Sequence, residues 1–214
     1  MLSGNLPALP VDHRPGKNTF ASRLIFQSLE PEMTRALLDE VPKAYKTRTE
    51  EILLTAFVLT LQNWTGSSGR LIDLRNEGRE SLEDDMDLSR TVGCFERCFP
   101  VAITLEETFS PGDQIKAVKE QLRQVPNRGL GYGLLRYLNN QTDVAGELRK
   151  LPSAEVCFEY VGKVGEKFGP GSAFVTSIPV NSPDGRSEES KRLLSLLFTC
   201  RIWTGMGRCR IWRG

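Results

Sequence analysis

One segment limits the possible folds of this 214-residue chain more than any other, because it carries a complete set of helix signals. Thr47 and Glu50 stand in the S/T-x-x-E relation of a capping box. Gly66 supplies the residue type that commonly ends a helix. Between them, apolar side chains recur at helical spacing, namely Leu53, Phe57, Leu61 and Trp64. The segment therefore predicts a helix with one apolar face.

Strand-like and helix-like segments are interleaved along the rest of the chain. A second helix is indicated after Pro31, and a third begins at Ser110, with Pro111 at its first position and Asp113 in its first turn. Apolar runs in residues 20–29, 68–76, 90–105 and 154–162 predict strands. This order predicts an α/β or mixed α+β fold with a central mixed sheet flanked by helices.

Composition divides the chain into three parts. Residues 1–18 are rich in proline and glycine and predict a linker, and residues 19–198 predict the folded domain. Residues 199–214 form an aberrant tail: its last 14 residues carry four arginines and no acid and lack strand alternation. We expect residues 201–214 to be disordered or loosely docked.

Composition and charge exclude several classes of protein. With 39% hydrophobic and 26% charged residues, the chain is typical of a globular protein. No apolar run approaches the roughly 20 residues of a membrane span, and the N-terminus has no signal-peptide pattern, so we expect a cytoplasmic protein without membrane contact. The body is mildly acidic outside the tail, which argues against nucleic-acid binding.

Cysteine and histidine offer little support for a metal site. The five cysteines stand at unrelated spacings, so reduced thiols are expected rather than a disulfide framework or a zinc site. His13 is the one histidine and lies in a polar stretch flanked by prolines, which is typical of a solvated linker. We therefore predict no metal.

Six short segments, taken in order over residues 9–163, resemble the C-terminal lobe of a nonribosomal peptide synthetase epimerisation domain, a member of the condensation-domain superfamily. The most specific of them contain SRTVG and VPNRGLGYG. The full set is LPVDHRPGKNT, EVPKAYKTRTEEILLTAF, DLRNEGRE, DLSRTVGCFERCFPV, VPNRGLGYGLLRYL and CFEYVG.

The resemblance implies a chloramphenicol-acetyltransferase-like architecture of two lobes, with a channel between them for a substrate held by thioester on phosphopantetheine. No cofactor would bind directly. The partners would be a peptidyl carrier domain and the missing N-terminal lobe or an adjacent synthetase module. The family's His-His-x-x-x-Asp-Gly motif belongs to the first lobe and has no match here, so we expect the chain to be inactive alone.

The resemblance also assigns roles to residues in the DLRNEGRE segment. The family motif Glu-Gly-His-Gly-Arg-Glu supplies an acid/base glutamate, but this sequence has Arg75 in its place. Arginine stays protonated and is no base at neutral pH. Glu77 is the candidate substitute, since alternation puts it on the same strand face as Arg75; an ion pair between the two is the simpler alternative. Arg79 and Glu80 match the motif and would anchor substrate or form a structural salt bridge.

Two tyrosines complete the candidate site. Tyr160 matches the family's Phe-Asn-Tyr-Leu-Gly strand and would bind the pantetheine arm or the thioester, or else serve as a core aromatic; Glu159 replaces the asparagine. Tyr132 lies among Gly129, Gly131 and Gly133, which predict a tight turn beside the channel or one that only the fold requires. We thus expect catalytic roles for Glu77, Arg79 and Tyr160 and substrate-binding roles for Arg75, Tyr132 and Glu159. A non-catalytic module that docks a carrier or neighbouring synthetase domain is the alternative function.

Overall fold

A four-stranded mixed sheet forms the centre of the fold. The computed structural model describes residues 6, 8–10, 25–27, 29–78, 87–88, 90–93, 95–106, 108–139, 142–163, 196–202 and 211–213. The strand order is β3-β2-β4-β5, in which β2 pairs antiparallel with β3 and parallel with β4, and β4 pairs parallel with β5. These strands are β2 (Gly69–Glu77), β3 (Glu96–Thr104), β4 (Val156–Lys163) and β5 (Leu196–Ile202). The predicted mixed α+β class with a central mixed sheet is confirmed.

Helical segments connect the strands. They are α1 (Pro31–Arg35), a π-helical turn (Ala36–Glu40), α2 (Val41–Tyr45), α3 (Thr49–Thr65), α4 (Pro111–Arg123), a 3-10 turn (Pro126–Gly129), α5 (Leu130–Gly133), a second π-helical turn (Leu134–Leu138) and α6 (Thr142–Lys150). A separate two-stranded ribbon pairs β1 (Ile25–Gln27) with β6 (Ile211–Arg213).

The hydrophobic core lies between one face of the sheet and helices α3 and α4. Alternate residues of β2, β3 and β4 point to this face because successive side chains of a strand point to opposite sides. The buried side chains are Leu53, Leu54, Val58 and Leu61 of α3, Val118 of α4, Ile72, Leu74, Phe99, Val101, Ile103, Val156 and Phe158 of the strands, together with Leu9 and Leu105. Leu9 is 3% exposed although it falls in the predicted linker, and its N–H donates to Glu155 Oε2 at 2.7 Å.

The ends of the two main helices follow local signals. Ser110 caps α4 by accepting a hydrogen bond from the Asp113 N–H. Gly66 ends α3 with φ of 67°, and its N–H donates to Gln62 O at 2.7 Å. The predicted capping box was wrong by one residue: α3 begins after Arg48, whose N–H donates to Glu51 Oε2 at 2.8 Å. This shift frees Glu50 from the cap.

One side chain of the predicted apolar stripe is largely exposed. Trp64 in α3 is 51% exposed. Trp64 lies in the last turn of α3, whereas Leu54 and Val58, which the predicted stripe omits, are fully buried. The buried side of α3 thus keeps Leu53 and Leu61 of the predicted stripe and extends beyond them, so it is wider than one row of side chains.

Candidate functional site

A polar surface lies on the face of the sheet opposite the core, near the carboxyl end of β2. Arg75 is in register with Cys98 of β3 and with Glu159 of β4. Asp73, two residues earlier on β2, is in register with Cys157 of β4. Residues paired across a sheet share a face, so these five side chains belong to one surface. Asp73 and Cys157 are buried there, Arg75 and Glu159 are half-buried, and Cys98 is exposed.

Arg75 carries a permanent positive charge in this surface. Burial by itself lowers the pKa of its guanidinium, but Cys157, Glu159, Glu96 and Cys98 nearby outweigh burial, so the pKa is raised overall. A protonated guanidinium is a hydrogen-bond donor and cannot accept a proton. Arg75 therefore cannot replace the family's acid/base glutamate, and its substrate-binding role stays a prediction. The alternative ion pair with Glu77 involves a side chain that lies outside the described residues.

The surroundings of Cys157 disfavour its thiolate form. A hydrogen bond with Cys98 raises its pKa most, and burial raises it further. Since the thiolate is the reactive form of cysteine, a raised pKa suppresses its reactivity and its affinity for metals. Among the described residues, no group of three or more His, Cys, Asp or Glu side chains is placed to hold a metal ion.

The other predicted site residues on the strands do not all meet at this surface. Tyr160 follows Glu159 on β4 and packs against the hydrophobic core, so the sheet separates it from Arg75. Glu77 is the last residue of β2 and lies in register with Glu96; its side chain is outside the described residues. Arg79 and Glu80 are outside them too.

Tyr132 belongs to a second group, which lies on the segment after α4. Its hydroxyl accepts a hydrogen bond from Arg136 Nη1. The Arg136 guanidinium also lies 5.7 Å from the Tyr132 ring centre and 5.6 Å from that of Tyr137, within the range of cation–π attraction. The Tyr132 hydroxyl is therefore already engaged with a neighbour on its own segment.

The glycines around Tyr132 have different structural roles. Gly129 has φ of 81° and ends a left-handed turn with Asn127 and Arg128. A Cβ at Gly129 would lie 2.3 Å from the Phe99 ring, so the turn also needs the missing side chain. Gly131 has nothing within 4 Å of the position that a Cβ would occupy, and it lies with Gly133 in α5. The tight turn thus precedes Tyr132 rather than surrounding it.

A polar cluster that the sequence pattern missed joins α3 to the end of β2. Asn76 Nδ2 donates to Glu50 Oε1 at 3.0 Å, and Arg48 Nη1 lies 3.5 Å from Glu50 Oε2. Burial raises the pKa of Glu50, while Arg48, Arg97 and Arg128 act to lower it. The sequence signal for this cluster was the pair of adjacent acids Glu50 and Glu51 at the start of α3. Only one of them is needed for the helix cap, so the other is available for contacts with β2.

Three comparisons place this geometry among known proteins. The family model "Condensation domain" matches residues 1–166. One of the linear gramicidin synthase proteins of Brevibacillus parabrevis is 39% identical over 189 residues, which are 88% of this chain and 4% of that protein. The chain thus spans a small part of the curated relatives that it matches.

Solved structures agree with the sequence comparison. The epimerization domain from the third module of tyrocidine synthetase B superposes with a TM-score of 0.81 at 30% identity, covering 98% of this chain and 46% of that one. The first condensation domain of the CDA synthetase shares the fold, with a TM-score of 0.51, 16% identity and coverage of 92% and 41%. No helix in the described ranges is long and apolar enough to cross a membrane.

The family-model match, which covers well over half of the sequence, and the likeness to an epimerization domain point to the same assignment. The chain belongs to the condensation-domain family of nonribosomal peptide synthetases.

Proposed function

We propose that this chain is the second lobe of an epimerisation-type domain, which acts on aminoacyl or peptidyl thioesters carried on the phosphopantetheine of a peptidyl carrier domain in peptide natural-product biosynthesis. The observation that carries the proposal is the likeness to the tyrocidine synthetase epimerization domain over 98% of this chain. The first condensation domain of the CDA synthetase has about half that identity.

The proposed reaction moves one proton. A base removes the proton from the carbon next to the thioester carbonyl, and an acid on the other face returns one, so that no other bond changes. Two opposed acid/base groups suit this exchange. Glu77 is the proposed acid/base residue of this lobe. Arg75, which stands in the family's glutamate position, is permanently charged beside Glu159 and cannot take a proton. The second group must come from a partner lobe, so the chain alone is proposed to be inactive.

Deuterium washout tests both parts of the proposal. A carrier protein would be loaded with an aminoacyl or peptidyl thioester deuterated at the alpha carbon, and loss of deuterium would be followed by mass spectrometry. We expect no loss above the protein-free control with the chain alone. With a histidine-bearing first lobe from a related epimerisation domain added, we expect loss that Glu77→Gln reduces by at least about 100-fold.

Glu96→Gln is the matched control, since Glu96 is the exposed partner of Glu77 across the β2–β3 ladder. Equal rates of deuterium loss in the Glu77→Gln and Glu96→Gln variants would contradict the role of Glu77. Exchange by the chain alone would contradict its inactivity.

A second function is favoured by one observation, namely that a permanently charged Arg75 faces Glu159 where the family has its acid/base glutamate. In this alternative the chain is a non-catalytic module that docks a carrier or a neighbouring synthetase domain. Saturable binding of the carrier with no exchange in the presence of the first lobe would support it over epimerisation.

A further inference from the structure

Cys98 is an exposed thiol on the polar face of the sheet, and the proposed reaction does not use it. It lies on β3 directly opposite Arg75 of β2. Glu159 of β4 is the next residue across the sheet, so the backbone of Arg75 stands between Cys98 and that carboxylate. The residue paired with Cys98 across the ladder therefore carries a permanent positive charge.

The electrostatic contact between Cys98 and Arg75 is also seen from the arginine. Burial lowers the pKa of Arg75, but its polar neighbours outweigh burial and raise that pKa overall; they are Cys157, Glu159, Glu96 and Cys98. Attraction between opposite charges is mutual, so the guanidinium in turn stabilises negative charge on the Cys98 sulfur. A neighbouring arginine is one of the features that make a cysteine reactive.

A second thiol supports the same charge on Cys98. The hydrogen bond between Cys98 and Cys157 raises the pKa of Cys157 most, ahead of burial. A hydrogen bond raises the pKa of a thiol when that thiol is the donor, so the Cys157 S–H donates to the Cys98 sulfur. Cys157 is only 2% exposed, whereas Cys98 is exposed. The buried thiol thus supports the exposed one, which is the thiol that solutes can reach.

The two thiols cannot form a disulfide with each other without movement of the backbone. β2 lies between β3 and β4 in the sheet, so the backbones of Cys98 and Cys157 are about 10 Å apart. A disulfide needs Cα atoms within about 7 Å. When Cys98 is oxidised to a disulfide, its sulfur partner therefore comes from another molecule and not from Cys157.

We propose that Cys98 is a modification site that undergoes thiol–disulfide exchange with small anionic disulfides. The Cys98 thiolate attacks one sulfur of the disulfide, a new S–S bond forms and the old S–S bond breaks. The other half of the disulfide leaves as a thiolate and takes up a proton from water. Cys98 is oxidised and the leaving half is reduced. An anionic reagent is favoured because the Arg75 guanidinium can pair with its carboxylate.

A group attached to Cys98 would lie on the surface that carries Arg75 and Glu159. It would cover the site of the proposed function, and this consequence alone rests on that function. The exchange itself needs no carrier, thioester or partner lobe. Its test is therefore independent of the washout assay.

Incubation of the full 214-residue chain with oxidised glutathione tests the proposal, followed by intact-protein and peptide mass spectrometry. Cystamine serves as the cationic disulfide for comparison. We expect Cys98 to be the first of the five cysteines to gain an adduct. We also expect its modification to be about tenfold faster with oxidised glutathione than with cystamine. About 1 M salt should reduce this preference, because salt screens exposed charges.

Substitutions of the two supporting residues separate reactivity from folding. Arg75→Gln should slow the modification of Cys98 by oxidised glutathione about tenfold, whereas Arg75→Lys, which keeps the charge, should restore it. Cys157→Ala should also slow it, whereas Cys157→Ser keeps a donor and should not. The Tm of each variant shows that it is folded. Arg149→Gln on α6 removes an exposed positive charge and is the matched control, expected to react as the parent chain does.

The outcomes support or overturn the proposal. First modification at Cys98 that favours the anionic disulfide and is slowed in Arg75→Gln supports it. Equal rates with the two disulfides, or a folded Arg75→Gln variant that reacts like the parent chain, overturns it. Earlier modification of another cysteine also overturns it, as does a disulfide between Cys98 and Cys157, detected as loss of the two thiol hydrogens without an adduct.

Discussion

Single residues in this chain take their charge states from burial and from near neighbours. Arg75 and Glu159 face each other on the sheet, which leaves the arginine charged and unable to act as a base. A hydrogen bond with Cys98 and burial both raise the pKa of Cys157, which favours the protonated thiol. Glu50 is the acid whose pKa burial shifts upward, although its side chain touches Arg48 and Asn76.

The raised pKa of Glu50 predicts a specific dependence of stability on pH. In the folded state the pKa of Glu50 lies above its ordinary value of 4.5. As pH rises from the ordinary pKa through the raised one, ionisation of Glu50 therefore lowers the stability of the folded state. Glu50→Gln removes this cost while keeping an acceptor for Asn76. We expect the Tm difference between variant and parent to move in favour of the variant from acid to neutral pH.

Differential scanning calorimetry over a pH series measures this difference. Glu147→Gln is the control for loss of a surface carboxylate, since the side chain of Glu147 is 73% exposed. A Tm difference that moves the other way as pH rises would show that the ion pair with Arg48 outweighs burial at Glu50.

Among the secondary-structure elements, the turn Asn127–Gly129 has the most unusual backbone conformation. It reverses the chain between α4 and α5 with three consecutive residues at positive φ. Gly129 lies directly against the ring of Phe99, which is itself buried in the core. The turn therefore depends on the packing of Gly129 against β3.

Gly129→Ala is expected to destabilise the protein by about 3 kcal/mol, the sum of left-handed strain and overpacking against Phe99. This corresponds to a fall in Tm of more than about 5 °C for a domain of this size. Gly131→Ala is the matched comparison, because its Cβ would meet nothing within 4 Å and alanine favours helix. Equal Tm values for the two variants would contradict the close packing at Gly129.

At the scale of the whole molecule, five of the nine large apolar side chains that are exposed in the described part of the chain lie between residues 134 and 144. They are Leu134, Leu135, Tyr137, Leu138 and Val144, of which Leu138 is 72% exposed. A lone lobe of a two-lobed domain is predicted to expose such surface, since contiguous apolar patches on monomers rarely exceed a few hundred Å². The solved epimerization domain is about twice as long as this chain, which agrees with a missing partner lobe in the proposed function.

We expect the isolated chain to bind an environment-sensitive apolar dye or to self-associate through this stretch. Leu135→Lys together with Leu138→Lys should lower dye fluorescence or the associated fraction while leaving Tm within about 2 °C of the parent, because both side chains are exposed. Gel filtration and fluorescence measure the two effects. A monodisperse monomer that binds no dye would contradict the prediction.

The tail prediction also belongs to this scale. Residues 201–202 are only the last two residues of β5, and residues 211–213 form a three-residue ribbon with residues 25–27. Two-stranded ribbons of this size are marginally stable in water. We therefore keep the expectation that deleting residues 201–214 leaves Tm unchanged or higher. A fall of more than about 4 °C in calorimetry would show that the tail stabilises the fold.

Local signals in the sequence determined where α3 ends and where α4 begins, the positions of β2, β3 and β4, and the family. Ser110 and Gly66 act on backbone groups within a few residues, and strand alternation is a property of the strand itself, so each can be read without knowing the fold. The ordered motifs carried the family resemblance for the same reason, because each is a short continuous segment.

Only the tertiary structure decided which distant residues meet. Strand register placed Arg75 opposite Glu159 and put Tyr160 on the other face, although all three had been assigned to one site. The packing of α3 against α4 brought Thr47 beside Arg128. Such contacts depend on how separate elements pair and pack, which no local pattern encodes.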